Sequence, residues 1–149
     1  MRRIREADPA LFAASVAFAG AWAFGSAVSV RQNLHGEPLG IRLPITVRHG
    51  LLAGWGAGVA APWPMPLAAL VAATTAEQAN ERRVPGLLCA GIGIGCIVGT
   101  LVEPVTRRPG SWGRGVGAAI ALNVVAGAAL TAAGLRYASR RSRFGPQHS

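Results

Sequence analysis

The sequence predicts an all-α integral membrane protein, a bundle of four transmembrane helices forming one polytopic domain over residues 1–149. Four long stretches contain no charged residue and no histidine: 9–30, 50–76, 84–102 and 115–135. About 18 uncharged apolar residues are enough for a helix to cross the hydrocarbon core, whereas a soluble bundle would show a charged helix face at every turn or so. We therefore expect a multi-pass protein of the cell membrane.

The first span, 9–30, begins at a predicted cap. Asp8 can accept hydrogen bonds from the first backbone amides, and Pro9 suits the first helical position because its missing N–H would have no partner there. Its length and the acidic residues before it favour an uncleaved span over a signal peptide. The connection that follows, 31–49, is expected to lie along the interface.

The second span, 50–76, is predicted to be interrupted at 62–66. Pro62, Pro64 and Pro66 each remove a backbone donor, and each pushes the residue before it toward extended geometry. The span can then cross once as a broken helix, enter and return on one side, or form two crossings and give five helices. The arginines divide nine to six for either parity, and we favour one broken crossing, with both termini cytoplasmic.

The third and fourth spans have clearer limits. Pro85 lies near the start of the third, which is expected to end at Glu103 because Pro104 disfavours helical geometry in the residue before it. Trp112 and Tyr137 flank the fourth span, and we expect both rings at the membrane interfaces, where amphipathic aromatic side chains prefer to lie.

Small residues recur at four-residue spacing in every span. Helices in lipid associate through close backbone approach at such residues, and an intramembrane amide adds an interhelical hydrogen bond. The residues predicted to pack helices are Gly54, Gly58, Gly91, Gly95, Gly99, Asn123 and Gly127. They predict a compact bundle, a homo-oligomer or association with a membrane partner subunit. For Asn123 we favour a packing role over a place on a substrate path.

Four polar side chains near span ends are the candidates for a functional site: His35, Glu37, His49 and Glu103. All four fall on the outer side of the four-span topology. The histidines with Glu37 could ligate a metal, but their spacing matches no established site. Glu103 is expected to pair with Arg107 or Arg108. The sequence predicts no cofactor and no catalytic constellation.

Every basic residue is arginine, and the arginines cluster at span ends. This placement favours anchoring at lipid headgroups, anionic ones included, over nucleic-acid binding. The leading functional hypothesis is a non-enzymatic membrane protein whose work is helix association, a small accessory subunit. The alternative is a transporter or channel component that uses the interrupted second span. A membrane enzyme that uses the polar candidates is the third hypothesis.

Overall fold

The computed structural model describes residues 8–37, 41, 44–76 and 83–140, and over these ranges the chain forms five α-helices and no β-strand. The helices are α1 (Pro9–Gln32), α2 (Val47–Leu52), α3 (Pro64–Thr75), α4 (Val84–Val102) and α5 (Val116–Arg140). Three of them, α1, α4 and α5, are long and apolar enough to cross a membrane, whereas α3 has only 12 residues. The predicted helical class is confirmed.

α1 begins where the sequence predicts. The Asp8 carboxylate accepts hydrogen bonds from the backbone N–H groups of Ala10 at 3.1 Å and Leu11 at 3.0 Å. Pro9 occupies the first turn, and Asn33 closes the other end in the left-handed conformation with φ of 53°. At 1.5 Å per residue the helix is about 36 Å long, more than the thickness of the hydrocarbon core.

The second span is interrupted earlier than predicted. Its first helix, α2, stops at Leu52, and residues 53–63 contain no α-helix. Gly54 and Gly56 adopt φ of 76° and 88°, values that glycine reaches without the steric cost borne by other residues. These two turns, and not the prolines, end the helix.

The prolines instead begin the next helix. α3 starts at Pro64, so Pro64 and Pro66 both lie in its first turn. A proline there lacks only an N–H that would have no intrahelical partner, so it does not disrupt the helix. The prediction that Met65 is extended is therefore wrong, and so is the interruption predicted over 62–66.

Residues 57–75, which we call the return segment, run alongside α1 in the opposite direction. Three hydrogen bonds show this order: Val59 to Ser29 at 3.3 Å, Trp22 to Ala61 at 2.9 Å and Ser15 to Ala69 at 3.2 Å. The first part of the return segment is non-helical and the rest is α3. The segment thus returns the chain from the end of α1 toward its start.

α4 and α5 form an antiparallel pair held together by glycines. A Cβ added to Gly93 would overlap the carbonyl oxygen of Gly127, and one added to Gly134 would overlap that of Gly86. The two backbones therefore touch at two levels, seven residues apart on each helix. α4 has the predicted limits, and Glu103 is extended before Pro104 as expected.

α5 continues five residues past the predicted end at 135. Tyr137 lies in this extra turn with 3% of its surface exposed, and its hydroxyl donates a hydrogen bond to the Ala76 carbonyl at 2.9 Å. The prediction of an interfacial ring is wrong for Tyr137, because the end of α3 covers it. Trp112, 37% exposed, does remain at the surface.

The helices share two ends. At the first, the Ala76 end, α3 and α5 finish near the start of α4. At the second, the Glu103 end, the chain leaving α1 meets the chain leaving α4, where the Glu37 N–H donates to the Glu103 carboxylate at 3.2 Å. The Gln32 side chain also donates to the Arg114 carbonyl there. The polar candidates of the sequence concentrate at this second end.

Candidate functional site

The non-helical part of the return segment has its backbone hydrogen bonds made by side chains. The Val59 N–H donates to Ser29 Oγ at 3.3 Å, and the Val59 carbonyl accepts from Asn123 Nδ2 at 2.8 Å. The Ala61 carbonyl accepts from Trp22 Nε1 at 2.9 Å. A buried peptide group without a partner costs free energy, and non-helical backbone at membrane depth is tolerated only when protein or water satisfies it. These side chains meet that requirement.

Asn123 joins the return segment to α5. Its side chain is 2% exposed, and the Val59 carbonyl is the partner that a buried amide needs. Gly25 makes this contact possible from the α1 side, since a Cβ there would overlap the Val59 carbonyl oxygen. The amide therefore holds three parts of the bundle together at one peptide group.

The glycines predicted in the second span lie outside any helix. Gly54 is in the turn after α2, and its positive φ explains the residue type. Gly58 is buried; its N–H donates to the Leu34 carbonyl at 3.1 Å, and a Cβ would come within 3.2 Å of the His35 carbonyl oxygen. The helical stripe expected at these positions does not form, because α2 has already ended.

The α4 stripe predicted at Gly91, Gly95 and Gly99 lies on the exposed face of that helix. Among the described residues no heavy atom comes within 4 Å of a Cβ added at Gly91 or Gly99, and only Met65 Cε, at 3.5 Å, approaches Gly95. A role for these three in helix packing stays a prediction for contacts outside the chain.

The contacts within the chain use a different set of glycines. Gly127, which was predicted, packs on Gly93, and Gly134 packs on Gly86. The missed residues repeat at seven-residue spacing in both helices, and that spacing is visible in the sequence. The four-residue search overlooked it because most of α4 at this level is glycine or alanine.

Three of the four polar candidates come together at the Glu103 end. His35, Glu37 and Glu103 line one cavity of about 210 Å³, and Arg108 lines it too. Burial raises the pKa of the Glu103 carboxyl; the hydrogen bond from the Glu37 N–H opposes this, and the nearby Glu37 carboxylate adds to the rise. The cavity is thus polar, charged and formed by the loops after α1 and α4.

The predicted partner of Glu103 is not observed. Over the described ranges, neither Arg107 nor Arg108 acts on the carboxyl, and both arginines are exposed. His49 also stands apart from the cavity, exposed at the start of α2, with Nδ1 2.9 Å from Thr46 Oγ1. The described part of the chain brings together no group of three side chains suited to a metal ion.

A second cavity lies between the return segment and α4. This groove has a volume of about 270 Å³ and is lined mainly by apolar residues, among them Met65, Gly95 and Gly99. Glu103 borders both the groove and the polar cavity. No single stretch of sequence predicts this arrangement, because its walls come from three separate parts of the chain.

The arginines that the structure describes are at the surface: Arg31, Arg48, Arg83, Arg107, Arg108, Arg114 and Arg136 are exposed. The remaining predicted headgroup anchors fall outside the described side chains: Arg2, Arg3, Arg5, Arg42, Arg82, Arg140, Arg141 and Arg143. Contact with anionic lipid therefore stays a prediction.

No protein-family model, curated protein or solved structure matches the chain. Its function is inferred from its own residues and their geometry.

Proposed function

We propose that the chain is a non-enzymatic, four-span protein of the cell membrane whose work is helix association, as a small accessory subunit. The return segment supports the fourth crossing. From the Ser29–Val59 contact to the Ser15–Ala69 contact it follows 14 residues of α1, about 21 Å, and α3 continues for six residues, about 9 Å more. The total of about 30 Å equals the thickness of the hydrocarbon core.

A single crossing by the return segment gives the arginines a sidedness. It groups both termini with the connection before α4, and this side then has nine arginines against six. Cytoplasmic loops are the arginine-rich ones. We therefore assign both termini to the cytoplasm.

Separate fusions of a sided reporter to the N-terminus and after Ser149 test the crossing. One crossing by 50–76 places both reporters in the cytoplasm. Reporters on opposite sides would mean that this run crosses twice or not at all, and would overturn the four-span proposal.

The observation that carries the association role is the open apolar face of α4. Leu87, Ile94 and Val98 are each about half exposed on it, and Gly91 lies among them with open space where a side chain would be. A glycine on such a face allows a second backbone to approach closely, which is how helices associate in lipid.

Two differently tagged copies of the chain, co-expressed and purified in a mild detergent, test this role. We expect the copies to purify together, and Gly91→Leu to separate them because its side chain would hold the helices apart. Gly20→Leu is the matched control, since Gly20 is also exposed with open space around it but lies on α1. A strictly monomeric wild type without a stoichiometric partner would contradict the proposal.

The alternative, a transporter or channel component, has less support. Its argument is that an interrupted helix offers backbone groups to a substrate at mid-membrane. Here both polar groups of the Val59 backbone and the Ala61 carbonyl are engaged by side chains of α1 and α5. They act as structural contacts.

A further inference from the structure

We propose that the Glu103 end binds an aminophospholipid, with the headgroup in the polar cavity and one acyl chain in the groove beside α4. The inference rests on the membrane insertion proposed above but not on helix association, which uses the Gly91 face of the same helix.

The polar cavity has the charges of a zwitterionic headgroup in reverse. Its walls include the carboxyl groups of Glu37 and Glu103 and the guanidinium of Arg108, with His35 beside them. The Glu37 N–H holds the Glu103 carboxylate at 3.2 Å, so this group has a fixed position. A primary ammonium can donate to the carboxylates while a phosphate accepts from the arginine, and such charge-assisted hydrogen bonds are the strong ones.

The groove suits an acyl chain. Gly95 and Gly99 form its α4 wall, and their missing side chains create the space; Met65 and Pro62 lie opposite. Its volume is about 270 Å³, and polar side chains are few along it. Trp55, 41% exposed, borders the groove, and indole rings prefer the headgroup level of a bilayer.

Glu103 connects the two halves of the site. It borders both cavities and directly follows the last residue of α4, which is the depth at which a headgroup meets its acyl chains when α4 spans the bilayer. A lipid is favoured over a partner helix here because a helix would fill the groove but leave the charged cavity unused.

Native mass spectrometry of the full chain in detergent tests the site, with phosphatidylethanolamine and phosphatidylcholine of identical acyl chains as probes. The choline nitrogen cannot donate a hydrogen bond. We expect one phosphatidylethanolamine to bind about tenfold more tightly than phosphatidylcholine, the factor that corresponds to one hydrogen bond to a charged group. Equal binding of the two lipids would overturn the proposal.

Variants separate the headgroup from the chain. Glu103→Gln should remove the preference for phosphatidylethanolamine, whereas Gly99→Leu should weaken both lipids by filling the groove. Gly91→Leu is the control, because Gly91 is on the exposed face of α4 but outside the groove, and it should leave lipid binding unchanged. A preference that survives Glu103→Gln would refute the headgroup assignment.

The outcomes stay interpretable if a variant fails to fold. Arg108 is exposed, so Arg108→Gln should fold and should weaken both phospholipids through the shared phosphate; unchanged binding would contradict the site. Gly91→Leu that separates the tagged copies but keeps lipid binding supports both proposals. Lipid binding by a strictly monomeric wild type would support the site and contradict the association role.

Discussion

The α4–α5 pair and the pairing of the return segment with α1 bury their backbones in opposite ways. In α4–α5 both partners are continuous helices whose peptide groups are satisfied internally, and glycines such as Gly93 and Gly134 let the two chains touch. In the return segment the backbone at Val59 and Ala61 has no helix around it and receives its hydrogen bonds from distant side chains.

The difference shows which changes each region can tolerate. The α4–α5 contact depends on side chains that are missing, so any addition is harmful and no particular polar group is needed. The return segment depends on polar side chains that are present, and because these come from α1 and α5 it couples the two helices. Additions should therefore damage the first region most, and deletions the second.

Gly93→Leu should give the largest loss of stability. Even a Cβ at this position overlaps the Gly127 carbonyl oxygen and comes within 2.9 Å of the Thr131 backbone nitrogen, and neither can move without shifting α5. Overpacking of a tight contact typically costs 1–3 kcal/mol, and we expect about 3 kcal/mol in the free energy of unfolding. Steric-trap or denaturant unfolding in detergent micelles measures it.

The matched control is Gly91→Leu on the same helix, measured at concentrations that keep the chain monomeric. Its Cβ would meet no described heavy atom within 4 Å, so the unfolding free energy of the monomer should stay within about 0.5 kcal/mol of wild type. Similar losses at the two positions would contradict the glycine contact.

Asn123→Leu should cost less, about 1–2 kcal/mol, because it removes one interhelical hydrogen bond and leaves the Val59 carbonyl unsatisfied. Ser29→Ala should cost about 0.6 kcal/mol. Since both side chains bind the backbone of Val59, the double variant should deviate from additivity. Melting midpoints in detergent test this, with the exposed Ala121→Leu as control. An unchanged midpoint for Asn123→Leu would rule out a stabilising amide contact.

Local signals predicted the helix ends well. Asp8 with Pro9, and Glu103 before Pro104, act within one turn of their own positions, and the structure places the limits of α1 and α4 there. The interruption of the second span was misplaced because proline was weighed as a helix breaker, whereas Pro64 lies in a first turn and begins a helix.

Contacts between distant residues were less predictable. The burial of Asn123 follows from its place among apolar residues, but its partner at Val59 is 64 positions away, and nothing local identifies it. Likewise His35, Glu37 and Glu103 were each singled out as polar residues at span ends, and only the antiparallel course of the chain brings them to one cavity while leaving His49 outside.

The smallest predicted effect concerns pH, and it separates the Glu103 end from the return segment. Burial raises the pKa of Glu103 above its ordinary value of 4.5 in the folded chain. Below 4.5 the carboxyl is protonated in both states, so its stabilising contribution is fully present. As the pH rises through the higher folded value, ionisation favours the unfolded state and that contribution is lost.

The melting midpoint of wild type should therefore fall relative to that of Glu103→Gln between pH 4 and pH 7, as Glu103 ionises. The comparison removes the titration of Glu37 and His35, which line the same cavity with Arg108 and are present in both proteins. The return segment contains no titratable side chain, so the midpoint difference between wild type and Asn123→Leu should be the same at both pH values. A wild type that gains stability relative to Glu103→Gln as the pH rises would mean that the carboxylate is held by a cation, and the charge assignment of the cavity would then be reversed.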